Sequence, residues 1–213
     1  MAHYRNIKTG SPPSGWTPEV KYIENVVWSS TVPKEVRDLY EPKRGAQETR
    51  TINFLKEHVN LTGTYPANKE QRRNIKIKKL TDKSHPCCGA YGLFAAQNLQ
   101  PRQLVLDYLG IIEYKTYDLA SDYVLRLGAD VSIDAAYYGN EARFCNDFRG
   151  VSAGPNVCFQ NYMDSQTKHI RIGIFVLGNR KIKKGEELLV TYGKAFWSNR
   201  GIDMSHQNHS NQQ

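Results

Sequence analysis

Three segments of this chain carry more polar and aromatic side chains than a core needs. The first is Gly89-Ala-Tyr-Gly-Leu-Phe-Ala95. Its glycines let a backbone come close to a ligand, although such a pair also makes an ordinary turn. It is not a dinucleotide fingerprint, because no helix and acidic ribose partner follow at the right distance. The second segment runs Ile133-Asp-Ala-Ala-Tyr-Tyr-Gly-Asn-Glu-Ala-Arg-Phe-Cys-Asn-Asp147 and resumes at Gly154-Pro-Asn156. It is too polar to be interior. The third is Gly185-Glu-Glu-Leu-Leu-Val-Thr-Tyr-Gly193, followed by Phe196-Trp197. Tyrosines among other aromatic rings suit a cation, which the ring faces attract. Taken singly, Tyr108 and Tyr192 read as strand tyrosines with satisfied hydroxyls. Metal chemistry is not expected. Cys87, Cys88, Cys145 and Cys158 include no Cys-x-x-Cys unit, and an adjacent pair lacks zinc-ligand spacing. A disulfide framework does not suit so long and Cys-poor a chain, so the thiols are expected free and mostly buried.

The elements that must position these residues are short. Residues 1–18, with Gly10-Ser-Pro-Pro-Ser-Gly15, read as a flexible arm. Residues 19–73 read as a helical extension. One helix is predicted over Thr31–Tyr40, with Thr31 as cap and Pro33 in the first turn, and a second from about Glu48 to Val59. At Asn74 the period changes: Ile75 and Ile77 alternate with Lys76 and Lys78, the pattern of a half-buried strand. Further strands are predicted over Gln103–Ile112, Tyr123–Leu127, Val131–Asp134, Val157–Tyr162, His169–Leu177 and Leu188–Thr191. Strands and helices do not alternate regularly, which disfavours a doubly wound parallel sheet. The fold class expected is mainly β with short helices, in several small packed sheets over residues 74–197. The polar end, 198–213, is expected to be disordered.

The net charge of +8 favours anionic partners, and its distribution is uneven. Between Asp107 and Asp147 eight acids face three bases, a net of −5, so the remainder carries +13. Lys69, Arg72, Arg73, Lys76, Lys78, Lys79 and Lys83 form a basic cluster suited either to phosphates or to a solvated strand face. No apolar run approaches the ~18 residues of a membrane span, and Met1–Gly10 lacks a signal-peptide core. A soluble, intracellular protein is therefore expected, with nucleus and cytoplasm not separated on this basis.

In order and rough spacing, six motifs resemble the SET-domain family of protein-lysine methyltransferases: Gly92-Leu-Phe-Ala95, Asp107-Tyr-Leu-Gly110, Asp134-Ala-Ala-Tyr-Tyr-Gly-Asn140, Arg143-Phe-Cys-Asn146, Pro155-Asn156 and Gly185-Glu-Glu-Leu-Leu-Val-Thr-Tyr-Gly193. The resemblance covers about residues 74–197. It implies a fold of several small β-sheets with a C-terminal pseudoknot, in which the chain after Asn146 threads under the strand carrying Tyr192. It also implies S-adenosyl-L-methionine as cofactor, with S-adenosyl-L-homocysteine as product. By the same resemblance Tyr91, Gly92, Leu93, Tyr123, Arg143, Phe144, Asn146, Asp147 and Trp197 contact the cofactor. Tyr192 orients the lysine amine with help from Tyr108, and Phe159 and Val190 wall the lysine channel.

The chain departs from the family pattern in three places. Asp147 stands where the family has histidine, and the loop to Pro155-Asn156 is longer. Ala90 takes the place of the usual first glycine, and no Cys-rich tail follows Trp197, so no zinc is expected. The expected partner is a protein substrate, a histone tail or nucleosome, with the acidic stretch Glu113–Asp134 beside the peptide groove and the basic cluster away from it. A nuclear location follows from that substrate. Two alternatives remain: a catalytically inactive SET-fold module that binds chromatin or nucleic acid, and a methyltransferase of a non-histone protein. The oligomeric state is left open.

Overall fold

The computed structural model describes residues 7–43, 53–55, 57–66, 70–116, 118 and 120–198. The chain opens with β1 (Lys21–Tyr22), β2 (Val27–Trp28), α1 (Lys34–Tyr40) and β3 (Leu61–Tyr65). Next come β4 (Ile75–Lys79), β5 (Tyr91–Ala95), β6 (Leu104–Asp107), β7 (Ile111–Tyr114), β8 (Val124–Arg126), β9 (Val131–Asp134) and β10 (Tyr138–Gly139). The chain then forms β11 (Asn146–Asp147), β12 (Val157–Asp164), β13 (Ile170–Val176), β14 (Leu189–Val190) and α2 (Lys194–Ser198). The protein is mainly β, built from small sheets.

Among the described residues, two four-stranded sheets carry the core, in the orders β3-β12-β13-β6 and β2-β7-β9-β8, and three strand pairs surround them. Strand β13 lies inside its sheet and is buried along nearly its whole length, so it reads as an apolar run rather than an alternation. Strand β4 keeps the predicted alternation, with Ile75 buried and Lys76 exposed. The predicted strand Gln103–Ile112 is two strands, β6 and β7, because the chain turns at Tyr108–Gly110. Gly110 is needed at that corner: a Cβ there would run into the Asp134 carbonyl oxygen where β7 meets β9. The glycine-bearing segment after β4 is itself a strand, β5, paired antiparallel with β4.

The N-terminal region departs most from expectation. Helix α1 begins at Lys34 with Pro33 as N-cap, and no side chain caps it. The Thr31 hydroxyl lies instead against Ser29 Oγ, at 2.9 Å. Residues 53–55 and 57–58 are helical, while the rest of the second predicted helix, 48–52 and 56, lies outside the described residues. Residues 19–73 are not only helical. Strands β1, β2 and β3 pair in parallel with β10, β7 and β12, so this region supplies strands to the sheets of the following region. Strands β1 and β2 have two residues each, too few to show a period, and pairing with distant segments stabilises them. Residues 7–18 are likewise not a detached arm. Trp16 packs edge-on against Tyr22 and Phe144, with centroids 5.0 and 5.4 Å apart, and its Nε1 donates to the Val20 carbonyl at 2.7 Å. Residues 199–213, the rest of the predicted tail, lie outside the described residues.

Candidate active site

Strands β11 and β14 pair in parallel, with Asn146 beside Leu189 and Asp147 beside Val190. Parallel neighbours require a long crossover, and here it contains β12 and β13. Asn156 secures the junction: its Nδ2 donates to the Glu187 carbonyl at 2.8 Å and its Oδ1 accepts from the Leu189 amide at 2.8 Å. Asp147 secures the other side. Its carboxylate accepts the Tyr192 amide at 2.7 Å, the Arg149 amide at 3.0 Å and two bonds from Arg149 Nη1. The acid in the family's histidine position is thus a buried anchor for the main chain that carries Tyr192.

This junction opens onto a cavity of about 630 Å³, within the range of small-molecule sites. Tyr91, Tyr108, Tyr123, Arg143, Phe144, Asn146, Phe159 and Tyr192 all line it. The Tyr108 hydroxyl donates to the Tyr123 carbonyl at 2.7 Å, and its ring meets Phe159 edge-on at 5.4 Å. The Tyr192 hydroxyl donates to the Cys145 carbonyl at 3.1 Å, and its ring packs on Phe196 at 4.6 Å. Burial holds both phenols well above the ordinary tyrosine range. Neither ionises near neutral pH, so they act as hydrogen-bonding groups rather than bases. The Arg143 guanidinium lies 4.0 Å over the Tyr123 ring and bonds the carbonyls of Ala135 and Ala136. Two other hollows are comparable in size, about 590 Å³ around His58 and Met163 and about 620 Å³ around Lys34 and Arg37. Neither gathers residues from the three polar segments.

Several residues singled out from sequence do not line the cavity. Leu93 and Val190 are core residues, 0% and 1% exposed. Gly92 and Asp147 stand behind the wall. Trp197 lies stacked near Tyr192, at 6.3 Å, and joins the same aromatic group through Phe196. Gly92 has a definite role: a Cβ there would stand 2.6 Å from Glu187 Oε1. Its absence lets the Glu187 carboxylate reach Asn146 Nδ2 at 3.0 Å, and Asn146 also donates to the Tyr91 carbonyl at 3.1 Å.

Sequence reasoning missed Glu187 and its partner His85, whose Nε2 lies 3.1 Å from Glu187 Oε2 with both side chains largely buried. It also missed Thr17, Glu19 and Val20, which wall the cavity because Trp16 docks. Asp122, from the acidic stretch, lines the cavity too. All four cysteines are free, but only Cys145 is fully buried, and Cys88 is exposed. Among the described residues no group of three or more His, Cys, Asp or Glu side chains is arranged to hold a metal, and no helix is long and apolar enough to cross a membrane. The basic cluster is partly spent. Arg72 bonds the buried Glu141 at 3.0 Å, Arg73 bonds Glu70 at 2.7 Å, and Lys69 lies outside the described residues.

Residues 90–193 match the family model of the SET domain. A histone-lysine N-methyltransferase, H3 lysine-36 specific, of Gibberella zeae is 30% identical over 135 residues, covering 58% of this chain and 13% of that protein. The histone-lysine N-methyltransferase ASHH3 of Arabidopsis thaliana is 31% identical over 134 residues, covering 57% of this chain and 34% of that one. The chain thus spans about a third or less of the length of these relatives. Among solved structures, the polycomb repressive complex 2 of Chaetomium thermophilum is 26% identical with a TM-score of 0.43, covering 56% of this chain and 15% of that chain. The same complex in an autoinhibited conformation bound to S-adenosylmethionine is 25% identical with a TM-score of 0.45, covering 57% and 15%. The stretch similar to the SET domain, residues 90–193, spans β5 to β14 and includes the junction that holds Tyr192.

Proposed function

We propose that the cavity binds S-adenosylmethionine and that the protein methylates the side-chain amine of a lysine in another protein, a histone tail being the expected substrate and the nucleus the expected location. One observation carries the reading: the hydroxyls of Tyr108 and Tyr192, the Asn146 amide and several aromatic faces meet in one cavity of a SET domain. The residues fit such a cofactor. The Asn146 nitrogen is committed to Tyr91 and Glu187, which leaves its oxygen for a ligand. Tyr91 and Phe144 are the aromatic surfaces for a flat base, and Tyr123 and Arg143 complete the wall. The bound cofactor supplies an electrophilic methyl group on a sulfonium.

The chain's own residues handle the amine. A lysine amine has a pKa near ~10.4 and must lose a proton before it attacks. A dry aromatic channel disfavours the ammonium form. Because the Tyr108 and Tyr192 protons are committed to main-chain carbonyls, each phenol oxygen presents lone pairs. Each therefore accepts an N–H from the amine, which turns the nitrogen lone pair away from them. Catalysis of this kind rests mainly on positioning. Phe159 restricts the path of the substrate.

Calorimetry with S-adenosylmethionine, beside a methyl-transfer screen over histones, nucleosomes and cell extract, tests the reading. Binding with transfer to histone is expected. A folded protein that binds no cofactor at millimolar concentration refutes it, and transfer only to a non-histone protein would move the substrate.

A further inference from the structure

Two stretches of the chain that contain no acid lie side by side on the surface. One is Ala95-Ala-Gln-Asn-Leu-Gln-Pro-Arg102 and the other Leu177-Gly-Asn-Arg-Lys-Ile-Lys-Lys-Gly185; together they hold Arg102, Arg180, Lys181, Lys183 and Lys184. The fold joins them. Leu99 and Ile182 form an antiparallel bridge, with amide–carbonyl bonds of 2.8 and 3.1 Å in the two directions. The Gly185 amide donates to the Ala95 carbonyl at 2.8 Å, and the Lys184 amide to Asn98 Oδ1 at 2.9 Å. At the other end, a Cβ on Gly178 would meet Arg102 Nε at 3.2 Å. Leu99 and Ile182 are buried to 0% and 1% exposure, so the loop is anchored through its apolar residues. The five cations between and around those anchors are all exposed.

We infer that this band, Arg102 with Arg180, Lys181, Lys183 and Lys184, is a nucleic-acid backbone contact surface, suited to duplex DNA. Among the described residues no ion pair to an acid appears at any of the five, in contrast to Arg72 and Arg73 of the cluster expected from sequence. Phosphate contact needs cations that are not already neutralised, on a backbone that need not be ordered on binding. The band has both properties. Asn98, Gln100 and Asn179 border it with uncharged donors of the kind that contact phosphate and sugar. None of these residues lines the candidate active site, so the inference is independent of the methyltransferase reading.

The test is fluorescence anisotropy of a labelled mixed-sequence duplex of about 20 base pairs, titrated with the full chain at several salt concentrations. Each phosphate neutralised contributes about −0.9 to the slope of log affinity against log salt. The triple variant Lys181→Gln, Lys183→Gln, Lys184→Gln should flatten that slope by about 2 to 3 and weaken binding at least ~10-fold near 0.1 M salt. The exposed cations Arg126 and Lys168 provide a control for net charge, and Arg126→Gln with Lys168→Gln should leave the slope nearly unchanged. Unchanged melting temperatures show that the variants remain folded. Three results overturn the inference: no duplex binding by the parent protein at low salt, an equal loss per charge in triple and control, or a larger loss of binding to phosphatidylserine vesicles than to duplex.

Discussion

Replacing Tyr192 with phenylalanine removes one hydroxyl and keeps the ring. The ring's contacts with Phe196 and Trp197 persist, so packing loses little. The hydroxyl makes one hydrogen bond, to the Cys145 carbonyl at 3.1 Å. Its loss costs about 1 kcal/mol, or a fall in melting temperature of about 2–4 °C for a domain of this size. Under the proposed mechanism the catalytic loss is far larger. The phenol oxygen is then a fixed acceptor for the amine, and removing one such positioned contact costs on the order of 10²-fold in rate. The two effects separate cleanly. Turnover on the substrate found is compared for both proteins, with a melting curve and a cofactor titration for each. The expected outcome is turnover lowered about 10²-fold, with cofactor affinity and melting nearly retained. Near-normal turnover with a lowered melting temperature would make Tyr192 a structural tyrosine and shift the role of acceptor to Tyr108, whose hydroxyl is held 2.7 Å from the Tyr123 carbonyl.

Three further outcomes follow from the same contacts. Asp147→Ala leaves the Tyr192 amide and the Arg149 guanidinium without their partner, so stability should fall by about 2–4 kcal/mol, read by denaturant unfolding; an unchanged midpoint would show that the carboxylate does not anchor this junction. Trp16→Ala should cost about 2 kcal/mol and weaken cofactor binding, because Trp16 holds the chain that brings Thr17 and Val20 to the cavity wall. His169 has its pKa lowered below 6.5, chiefly by burial. The unfolded chain therefore takes up this proton first as pH falls, and the stability held above pH 6.5 is lost through the window below it. In His169→Gln the melting temperature should fall less between about pH 7 and pH 5 than in the parent, and parallel curves would remove His169 from the acid response.

What the chain makes legible by itself is what acts over a few residues. The alternation of Ile75 and Ile77 with lysines marks β4, because side chains in a strand point to opposite faces with a period of two, and the mostly apolar stretch from Ile170 to Val176 marks β13, which is buried on both faces. The family resemblance also picks out eight of the cavity's lining residues, Tyr108 and Tyr192 among them. Tertiary structure decides the rest. Strands β1, β2 and β3 form by pairing with distant segments, and β1 and β2, at two residues each, are too short to carry a period. Leu93 and Val190 resemble site residues by motif but are turned into the core by the strands that hold them. His85 reaches Glu187, and Trp16 reaches Phe144, only after residues far apart in the chain have been brought together. The same holds for the band around Ile182: each of its stretches is an ordinary polar loop, and the Leu99–Ile182 bridge makes them one surface. Local sequence sets backbone preference and which side of a strand faces inward, whereas pairing between distant segments is settled by the burial and hydrogen bonding of the whole fold.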